Sequence, residues 1–184
     1  MDKERLRTGL GKGPTVDAGV ELLVVSGLFV WLSGRLPGTI AAYLALGHEI
    51  DVESLFTRLP GWRWVLPRME PDGNLTWRDR DVPRETHHWG MSQPVGQGDE
   101  IPVSHIDVFL VPGVAFDDTG ARLGRGGGHY DRVLATRRKD SEAVGVTVED
   151  RVIEAVPVHD HDQRVDWLAT EAGVRECTPR RREG

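Results

Sequence analysis

Hydrophobic and polar residues follow two different spacings along the chain, and the spacing predicts which segments form helices. The longest segment with helical spacing of apolar residues contains Val16, Val20, Leu23, Val24, Leu28, Trp31 and Leu32. Thr15 is a suitable N-cap for that helix, and Gly34 lies just after its end. Two shorter helices are predicted over residues 52–59, where Asp51 would open the helix, and over residues 130–138.

Runs of consecutive apolar residues lie between the predicted helices and have the length of buried strands. The runs cover residues 40–46, 62–66, 106–111, 143–148 and 167–170. The sequence Pro71-Asp-Gly-Asn74 is typical of a turn, so Met69 and residues 75–77 are expected to flank a hairpin. Because the strands are apolar throughout and alternate with helices, we predict an α/β fold with a mostly parallel sheet covered on both faces. Ligands of such sheets bind beyond the carboxyl ends of the strands.

Composition and charge restrict the class of protein. A length of 184 residues with 39% hydrophobic and 28% charged residues favours one globular domain, expected over residues 1–177, before a disordered basic tail over 178–184. The net charge of −6 argues against a general nucleic-acid binder. The longest apolar run, residues 20–32, includes Glu21 and is too short to cross a bilayer. The single cysteine, Cys177, cannot form an internal disulfide, which suits the reducing cytoplasm.

A glycine-rich segment between the third predicted strand and the next helix has the features of a phosphate site. Gly124 and residues 126–128 carry no side chains, so a ligand can approach the backbone, and their N–H groups can surround an anion. A helix that begins just afterwards directs its positive end to the same place. Arg122 and Arg125 add fixed positive charge of the kind that binds phosphate. Asp131 could hold a metal beside that phosphate, so the segment predicts a nucleotide site.

The segment has neither of the two common glycine-rich motifs, GxxxxGK[ST] and GxGxxG. It resembles the signature of 5-formyltetrahydrofolate cyclo-ligases, which is PGxxFD followed by RLGxGxGYYD. The matching positions are Pro112, Gly113, Phe116, Asp117, Arg122, Leu123, Gly124, Gly126, Gly128, Tyr130 and Asp131. The resemblance extends over nearly the whole chain. It implies a three-layer α/β/α fold of the kind shared with sugar-phosphate isomerases and CoA transferases. It also implies ATP- and Mg²⁺-dependent cyclisation of 5-formyltetrahydrofolate to 5,10-methenyltetrahydrofolate, with release of ADP and phosphate.

The same resemblance implies roles for individual residues. The residues expected to bind ATP are Lys3, Arg7, Arg122, Leu123, Gly124, Arg125, Gly126, Gly127, Gly128, His129 and Tyr130. The residues expected to bind the folate are Leu44, Glu49, Trp89, Arg125, Gly126, Gly127, Gly128 and His129. Arg122 and Arg125 are expected to act in catalysis, and Asp131 and Asp166 to hold the magnesium ion. A carboxylate such as Glu49 can accept two ring N–H groups of a pterin at once, which suits its role.

Several of these residues have a plainer structural interpretation. Lys3 and Arg7 could form a solvated charged helix end, and Glu49 could be an acid near a helix start. Trp89 could be an ordinary packed tryptophan. The acids and histidines at residues 159–162 suggest a transition-metal cluster, but no further Cys or His follows at typical ligand spacing, so a zinc site is not expected.

The chain also departs from the family, and the departures leave two other functions open. His129 stands where a tyrosine is usual, and residues 8–37 match poorly. One alternative is a non-catalytic module that binds folate or nucleotide, although the intact Asp131 and Asp166 count against it. The other is an ATP-dependent enzyme of the same fold that acts on another small molecule. The expected partners are ATP and a folate, without nucleic acid or membrane, and the expected state is a monomer or weak dimer.

Overall fold

The computed structural model describes residues 2–10, 15–87 and 90–178. The α-helices are α1 (Lys3–Leu10), α2 (Ala18–Ser33), α3 (Leu55–Arg58) and α4 (His129–Ala135), and short 3-10 turns cover Val103–His105 and Glu149–Arg151. The strands are β1 (Thr39–Ala41), β2 (Arg63–Met69), β3 (Leu75–Asp79), β4 (Arg84–Thr86), β5 (Ser92–Pro94), β6 (Val108–Pro112), β7 (Ala115–Phe116), β8 (Arg122–Leu123), β9 (Glu142–Val146), β10 (Trp167–Thr170) and β11 (Gly173–Glu176).

A seven-stranded sheet in the order β11-β10-β9-β6-β1-β2-β3 forms the centre of the protein. The five inner strands run parallel to their neighbours, whereas β3 and β11 add antiparallel edges. Two small antiparallel ribbons, β4–β5 and β7–β8, lie outside this sheet. The predicted α/β fold with a mostly parallel sheet is confirmed.

Successive residues of a central strand point into cores on opposite faces of the sheet, as the period of a strand requires. Ile40 of β1 packs in one core with Val24 and Leu28 of α2. Its neighbour Ala41 packs in the other core with Val133 of α4. Helices therefore cover both faces, and the expected three-layer arrangement is present.

The helices agree with the predictions in position but not in every boundary. Asp17, not Thr15, is the N-cap of α2, and its carboxylate accepts hydrogen bonds from the N–H groups of Gly19 and Val20. Gly34 is the C-cap, as predicted. The helix predicted over residues 52–59 is shortened to α3, because residues 53 and 54 form a turn before it begins. Within the described residues, no helix combines the length and hydrophobicity needed to cross a membrane.

The strands differ mainly in length. The strand predicted over 40–46 ends at Ala41, and the residues after it form a loop above the sheet. The predicted hairpin is confirmed, since Met69 of β2 pairs with Leu75 of β3. The edge strand β11 was not predicted because its partly buried sequence lacks a continuous apolar run. The predicted tail over 178–184 lies outside the described residues except for Thr178, whose N–H donates to Asp118 O at 2.8 Å.

Candidate functional site

A cavity of about 510 Å³ lies beyond the carboxyl ends of β1, β2 and β6, the edge at which ligands of parallel sheets bind. It is bordered by α1, the loop after β1, the β2–β3 hairpin, the glycine-rich loop and the start of α4. The predicted residues that line it are Lys3, Arg7, Leu44, Glu49, Arg122, Gly124, Arg125, Gly126, Gly127, Gly128, His129, Tyr130 and Asp131. The structure therefore brings most of the predicted site residues together.

The turn that leads into the glycine-rich loop is held by the buried carboxylate of Asp117. Its Oδ1 accepts hydrogen bonds from Thr119 N at 2.9 Å and Ala121 N at 3.2 Å, and its Oδ2 accepts from Val156 N at 2.9 Å. These bonds satisfy a buried charge and close the β7–β8 ribbon. The aspartate of the PGxxFD motif thus stabilises the turn before the glycine-rich loop and is not among the residues that line the cavity.

The glycine-rich loop, residues 124–128, has the backbone conformation and the free donors of an anion cradle. Gly126 and Gly128 have φ angles of 108° and 64°, which side chains disfavour. Within the described residues, the backbone N–H groups of Arg125 to Tyr130 donate no hydrogen bond to another group of the protein. Unpaired N–H groups at a cavity wall are available for an anionic ligand.

Arg7 connects α1 to this loop. Its Nε donates to Gly124 O at 2.8 Å, and an added Cβ at Gly126 would lie 3.7 Å from its guanidinium carbon. This contact places the first helix beside the glycine-rich loop. The side chains of Lys3 and Arg7 therefore face the cavity and are not a solvated helix end.

Three ion pairs inside the cavity join a basic residue to a carboxylate. The pairs are Lys3 Nζ–Asp162 Oδ2 at 2.5 Å, Arg122 Nη2–Asp131 Oδ2 at 3.0 Å, and Arg125 Nε–Glu49 Oε1 at 3.1 Å. Each basic residue was predicted to bind phosphate. In each pair, a basic side chain is already bound by a carboxylate of the protein. A ligand must therefore displace one partner of the pair in order to bind the other.

Like Asp131, Asp162 lines the cavity, but it is not among the metal ligands predicted from the sequence. Burial alone would raise the pKa of its carboxyl. Hydrogen bonds from Lys3 and from the N–H of His159 outweigh burial and hold the pKa below its ordinary value of 3.8. The carboxylate is therefore ionised at neutral pH.

Asp131 and Asp162 together fit a magnesium ion. Both line the cavity next to the glycine-rich loop, and Oδ1 of Asp131 also accepts from Gln163 N at 3.1 Å. Magnesium binds through a few carboxylates together with water and phosphate oxygens, which two aspartates beside a phosphate cradle can satisfy. Asp162 also has ligand atoms of His159 and His161 within 4.8 Å, and both imidazoles are exposed.

Asp166 does not lie in this cavity. It comes just before β10, which runs parallel to β9, so it lies at the amino edge of the sheet, opposite the ligand edge. Its carboxylate accepts from both Nη atoms of Arg137, at 2.5 and 2.9 Å, and from Ala143 N at 2.7 Å. The predicted pairing of Asp131 with Asp166 at one metal ion therefore does not agree with the structure.

One further predicted residue, Leu123, does not line the cavity, and the position of another is not described. Leu123 is fully buried in β8 and packs with Val114 and Val156 on the far side of the ribbon. Trp89 lies outside the described residues. The segment that follows it does contribute, since Gln93 lines the cavity and its Oε1 accepts from Met69 N at 3.1 Å.

In the loop after β1, which is expected to contact the folate, the carboxylate of Glu49 lies near the phenol of Tyr43 and apolar side chains. Glu49 has a side chain only 10% exposed, and its Oε2 accepts from Leu46 N at 2.9 Å. Tyr43, which was not predicted, donates its hydroxyl to Ile50 O at 2.8 Å. Burial, followed by the charge of Glu49, raises the pKa of Tyr43 and of Tyr130, so both remain neutral phenols. A polar Tyr43 within an apolar run was the available sequence signal.

Comparisons with known proteins agree on one family. The model of the 5-formyltetrahydrofolate cyclo-ligase family matches residues 34–171. The 5-formyltetrahydrofolate cyclo-ligase of Escherichia coli (strain K12) is 32% identical over 146 residues, which cover 75% of this chain and 80% of that protein. The enzyme of the same name from Mycolicibacterium smegmatis is 32% identical over 182 residues, 91% of this chain and 93% of that one.

Two solved structures have the same fold. The NMR structure of Aquifex aeolicus 5,10-methenyltetrahydrofolate synthetase matches with a TM-score of 0.81 at 28% identity, covering 100% of this chain and 97% of that chain. The 5,10-methenyltetrahydrofolate synthetase of Mycoplasma pneumoniae matches with a TM-score of 0.77 at 23% identity, over 93% of this chain and 99% of that chain. At that lower identity the second match supports the fold alone.

Proposed function

The chain belongs to the 5-formyltetrahydrofolate cyclo-ligase family, and we propose that the cavity carries out that reaction with ATP and Mg²⁺. It is accordingly a ligase of folate one-carbon metabolism that forms 5,10-methenyltetrahydrofolate, with ADP and phosphate as the other products. The observation that carries the proposal is the row of loop N–H groups, unpaired within the described residues, in a cavity that also holds Lys3, Arg7, Arg122 and Arg125.

The triphosphate binds at the glycine-rich loop. The loop N–H groups, Arg122 and Arg125 supply hydrogen bonds and positive charge, and Lys3 and Arg7 approach from α1. Arg122 is only 8% exposed, so its charge acts in a partly desolvated site where electrostatic attraction is stronger than in water. Phosphoryl transfer depends mainly on positioning and charge neutralisation, which this arrangement supplies.

Asp131 and Asp162 are the residues proposed to hold Mg²⁺. A bound magnesium ion would neutralise part of the charge on the phosphate oxygens. Arg122 and Lys3, which pair with these carboxylates, would then turn to the phosphates.

The folate lies against the loop after β1 and the β2–β3 hairpin. Glu49 accepts the ring N–H groups of the pterin, and Leu44 contacts the ring. Met69 and Leu75 of the hairpin add apolar surface for the rest of the molecule. This placement puts the N5-formyl group next to the glycine-rich loop, where the γ-phosphate is bound.

The reaction requires two displacements and no protein nucleophile. The formyl oxygen attacks the γ-phosphorus, and the bond from that phosphorus to the ADP oxygen breaks. N10 of the folate then attacks the formyl carbon and loses its proton, and the carbon–oxygen bond to phosphate breaks. The protein holds the formyl oxygen in line with phosphorus, and Arg122 and Arg125 stabilise the charge that develops on the transferred group.

We also propose the domain organisation, the oligomeric state and the cellular location expected from the sequence. A single domain covers residues 1–177, and a basic tail covers residues 178–184. The protein is proposed to act as a monomer or weak dimer in the cytoplasm. Size-exclusion chromatography with light scattering tests the oligomeric state.

The reaction is tested with purified protein, MgATP and 5-formyltetrahydrofolate by following the near-ultraviolet absorbance of the methenyl product. We expect an ATP-dependent rise that Arg122→Gln abolishes and that the exposed-surface variant Arg63→Gln preserves. A flat trace with ADP release in the absence of folate would indicate an enzyme for another small molecule. A flat trace with folate binding and no ADP release would indicate a binding module.

A further inference from the structure

Arg132 contacts two walls of the cavity from outside. It lies in α4, is exposed, and is not among the residues that line the cavity. Its Nη1 donates to Gly127 O at 3.1 Å, in the glycine-rich loop. Its Nη2 donates to Gly73 O at 2.7 Å, at the tip of the β2–β3 hairpin. One guanidinium group thus joins two elements that are far apart in sequence.

The bond to Gly127 sets the direction of a loop N–H group. In a planar trans peptide, the C=O group and the following N–H group point in opposite directions. Because the Gly127 carbonyl points to Arg132 on the outer side, the N–H of Gly128 points to the inner side, where both glycines line the cavity. Glycine backbones have little conformational preference of their own, so an external hydrogen bond has a large influence here.

The bond to Gly73 is shared with a second side chain. His129 Nδ1 lies 2.8 Å from the same Gly73 carbonyl. The same Nδ1 also lies 2.8 Å from Arg132 Nη2, so the arginine, the imidazole and the Gly73 carbonyl meet in one polar cluster.

The hairpin whose tip is held in this way forms part of the folate wall through Met69 and Leu75. Gly73 has a φ of 80° and nothing within 4 Å of the position of a Cβ, so the contact depends on its carbonyl and not on side-chain packing. Arg132 therefore sets the spacing between the hairpin wall and the glycine-rich loop.

We propose that Arg132 is a positioning residue that orients the glycine-rich loop for the triphosphate and sets the hairpin beside it. This inference rests on the proposed function. The planar fork of a guanidinium can donate to two carbonyls at once, whereas an ammonium group acts as a single charged point. The fork is needed as well as the charge.

The test compares Arg132→Gln and Arg132→Lys with Arg63→Gln. Arg63 is an exposed arginine with one ion pair, to Asp79 at 3.1 Å, at the amino end of β2 and away from the cavity. We measure kcat, KM for ATP, KM for 5-formyltetrahydrofolate, melting temperature and direct binding of a non-hydrolysable MgATP analogue. Arg132→Gln should raise KM for ATP and the analogue Kd by roughly five- to tenfold, with a melting temperature like that of Arg63→Gln.

The lysine variant separates geometry from charge. We expect Arg132→Lys to lose a substantial part of the nucleotide affinity, roughly two- to fourfold, because it can satisfy only one carbonyl. Wild-type affinity in Arg132→Lys would overturn the need for the fork. A lower melting temperature with unchanged analogue affinity in both variants would show a purely structural role. If the wild-type protein formed no methenyl product, the proposed function would fail, but analogue binding would still decide the role of Arg132.

Discussion

Arg125 Nε lies 3.1 Å from Glu49 Oε1, so the arginine proposed for phosphate is paired with the carboxylate proposed for the pterin. Arg125 also donates to Leu46 O at 2.9 Å, and its side chain is 57% exposed. Each substrate must open this ion pair to reach its own partner. Once one substrate has opened it, the other partner is free, so the two substrates favour each other's binding.

The first prediction concerns this coupling. A non-hydrolysable MgATP analogue should tighten binding of 5-formyltetrahydrofolate to the wild-type protein by up to roughly fivefold, because an ion pair whose arginine is exposed to solvent is worth about 1 kcal/mol or less. In Arg125→Gln the carboxylate of Glu49 is already free, and the ratio of the two folate dissociation constants should fall to about one. Calorimetric titrations with and without the analogue measure both ratios, with Arg63→Gln as a control. An undiminished ratio in Arg125→Gln would exclude this ion pair as the origin of the coupling.

The sequence located the glycine-rich loop but not which acid of the segment after it lines the same cavity, for a physical reason. Asp162 and Asp166 lie four positions apart in one acidic segment, and spacing alone does not say which faces a ligand. A signal was nevertheless present, because β10 was predicted to begin at Trp167. A residue just before a parallel strand lies at the amino edge of the sheet, opposite the edge where ligands bind.

Other features left no signal in the sequence. Arg132 binds a backbone carbonyl 59 residues away, and any residue at that position would present the same group. The end of β1 at Ala41 was also not predictable from hydrophobicity, since the buried loop beyond it is nearly as apolar as a strand. Tyr43 within that loop is buried in the core on the α2 face and also lines the cavity, so burial continues beyond the last residue of the strand.

The second prediction separates the two aspartates. Asp162→Asn should weaken Mg²⁺-dependent binding of the nucleotide by at least about tenfold, because it removes one of two proposed metal-binding carboxylates. Asp166→Asn should leave the magnesium titration unchanged and lower the melting temperature, because it weakens the two-bond contact with Arg137. Magnesium titrations of nucleotide binding, run beside thermal unfolding, give both quantities. A loss of magnesium response in Asp166→Asn but not in Asp162→Asn would reverse the assignment.

The third prediction concerns the crowding of His129 over Gly127. An alanine Cβ at Gly127 would lie 2.3 Å from His129 Nε2, and the ring is held at Nδ1 by Gly73 O. Gly127→Ala should therefore weaken binding of the MgATP analogue by roughly five- to a hundredfold, the range expected for overpacking. In a His129→Ala background the same substitution should have little effect.

Gly126→Ala is the matched control for this cycle. Its φ of 108° makes an alanine strained whatever the neighbouring side chain is. Its effect on analogue binding should therefore be the same with His129 and with Ala at that position. If Gly127→Ala were equally harmful in both backgrounds, the contact with His129 would not be the cause.

The fourth prediction uses Cys177 to report on the position of Asp166. Burial, together with the negative charge of Asp166, raises the pKa of the Cys177 thiol from 9.0 to about 12. At pH 8 the reactive thiolate is then roughly a thousandfold rarer than in the unfolded chain, and a thiol reagent should label the native protein slowly. Between pH 9 and 12 the unfolded chain loses this proton first, so the free energy of unfolding should fall as the pH rises, and Cys177→Ala should remove that part of the slope.

Asp166→Asn removes the negative charge beside the thiol and should speed its labelling. Because the same substitution also weakens the contact with Arg137, faster labelling could come from local opening alone. Arg137→Gln breaks that contact but keeps the carboxylate, and it should label no faster than expected from its change in stability. A rate increase specific to Asp166→Asn would place this carboxylate beside Cys177 at the amino edge of the sheet, and equal rates in the two variants would argue against that placement.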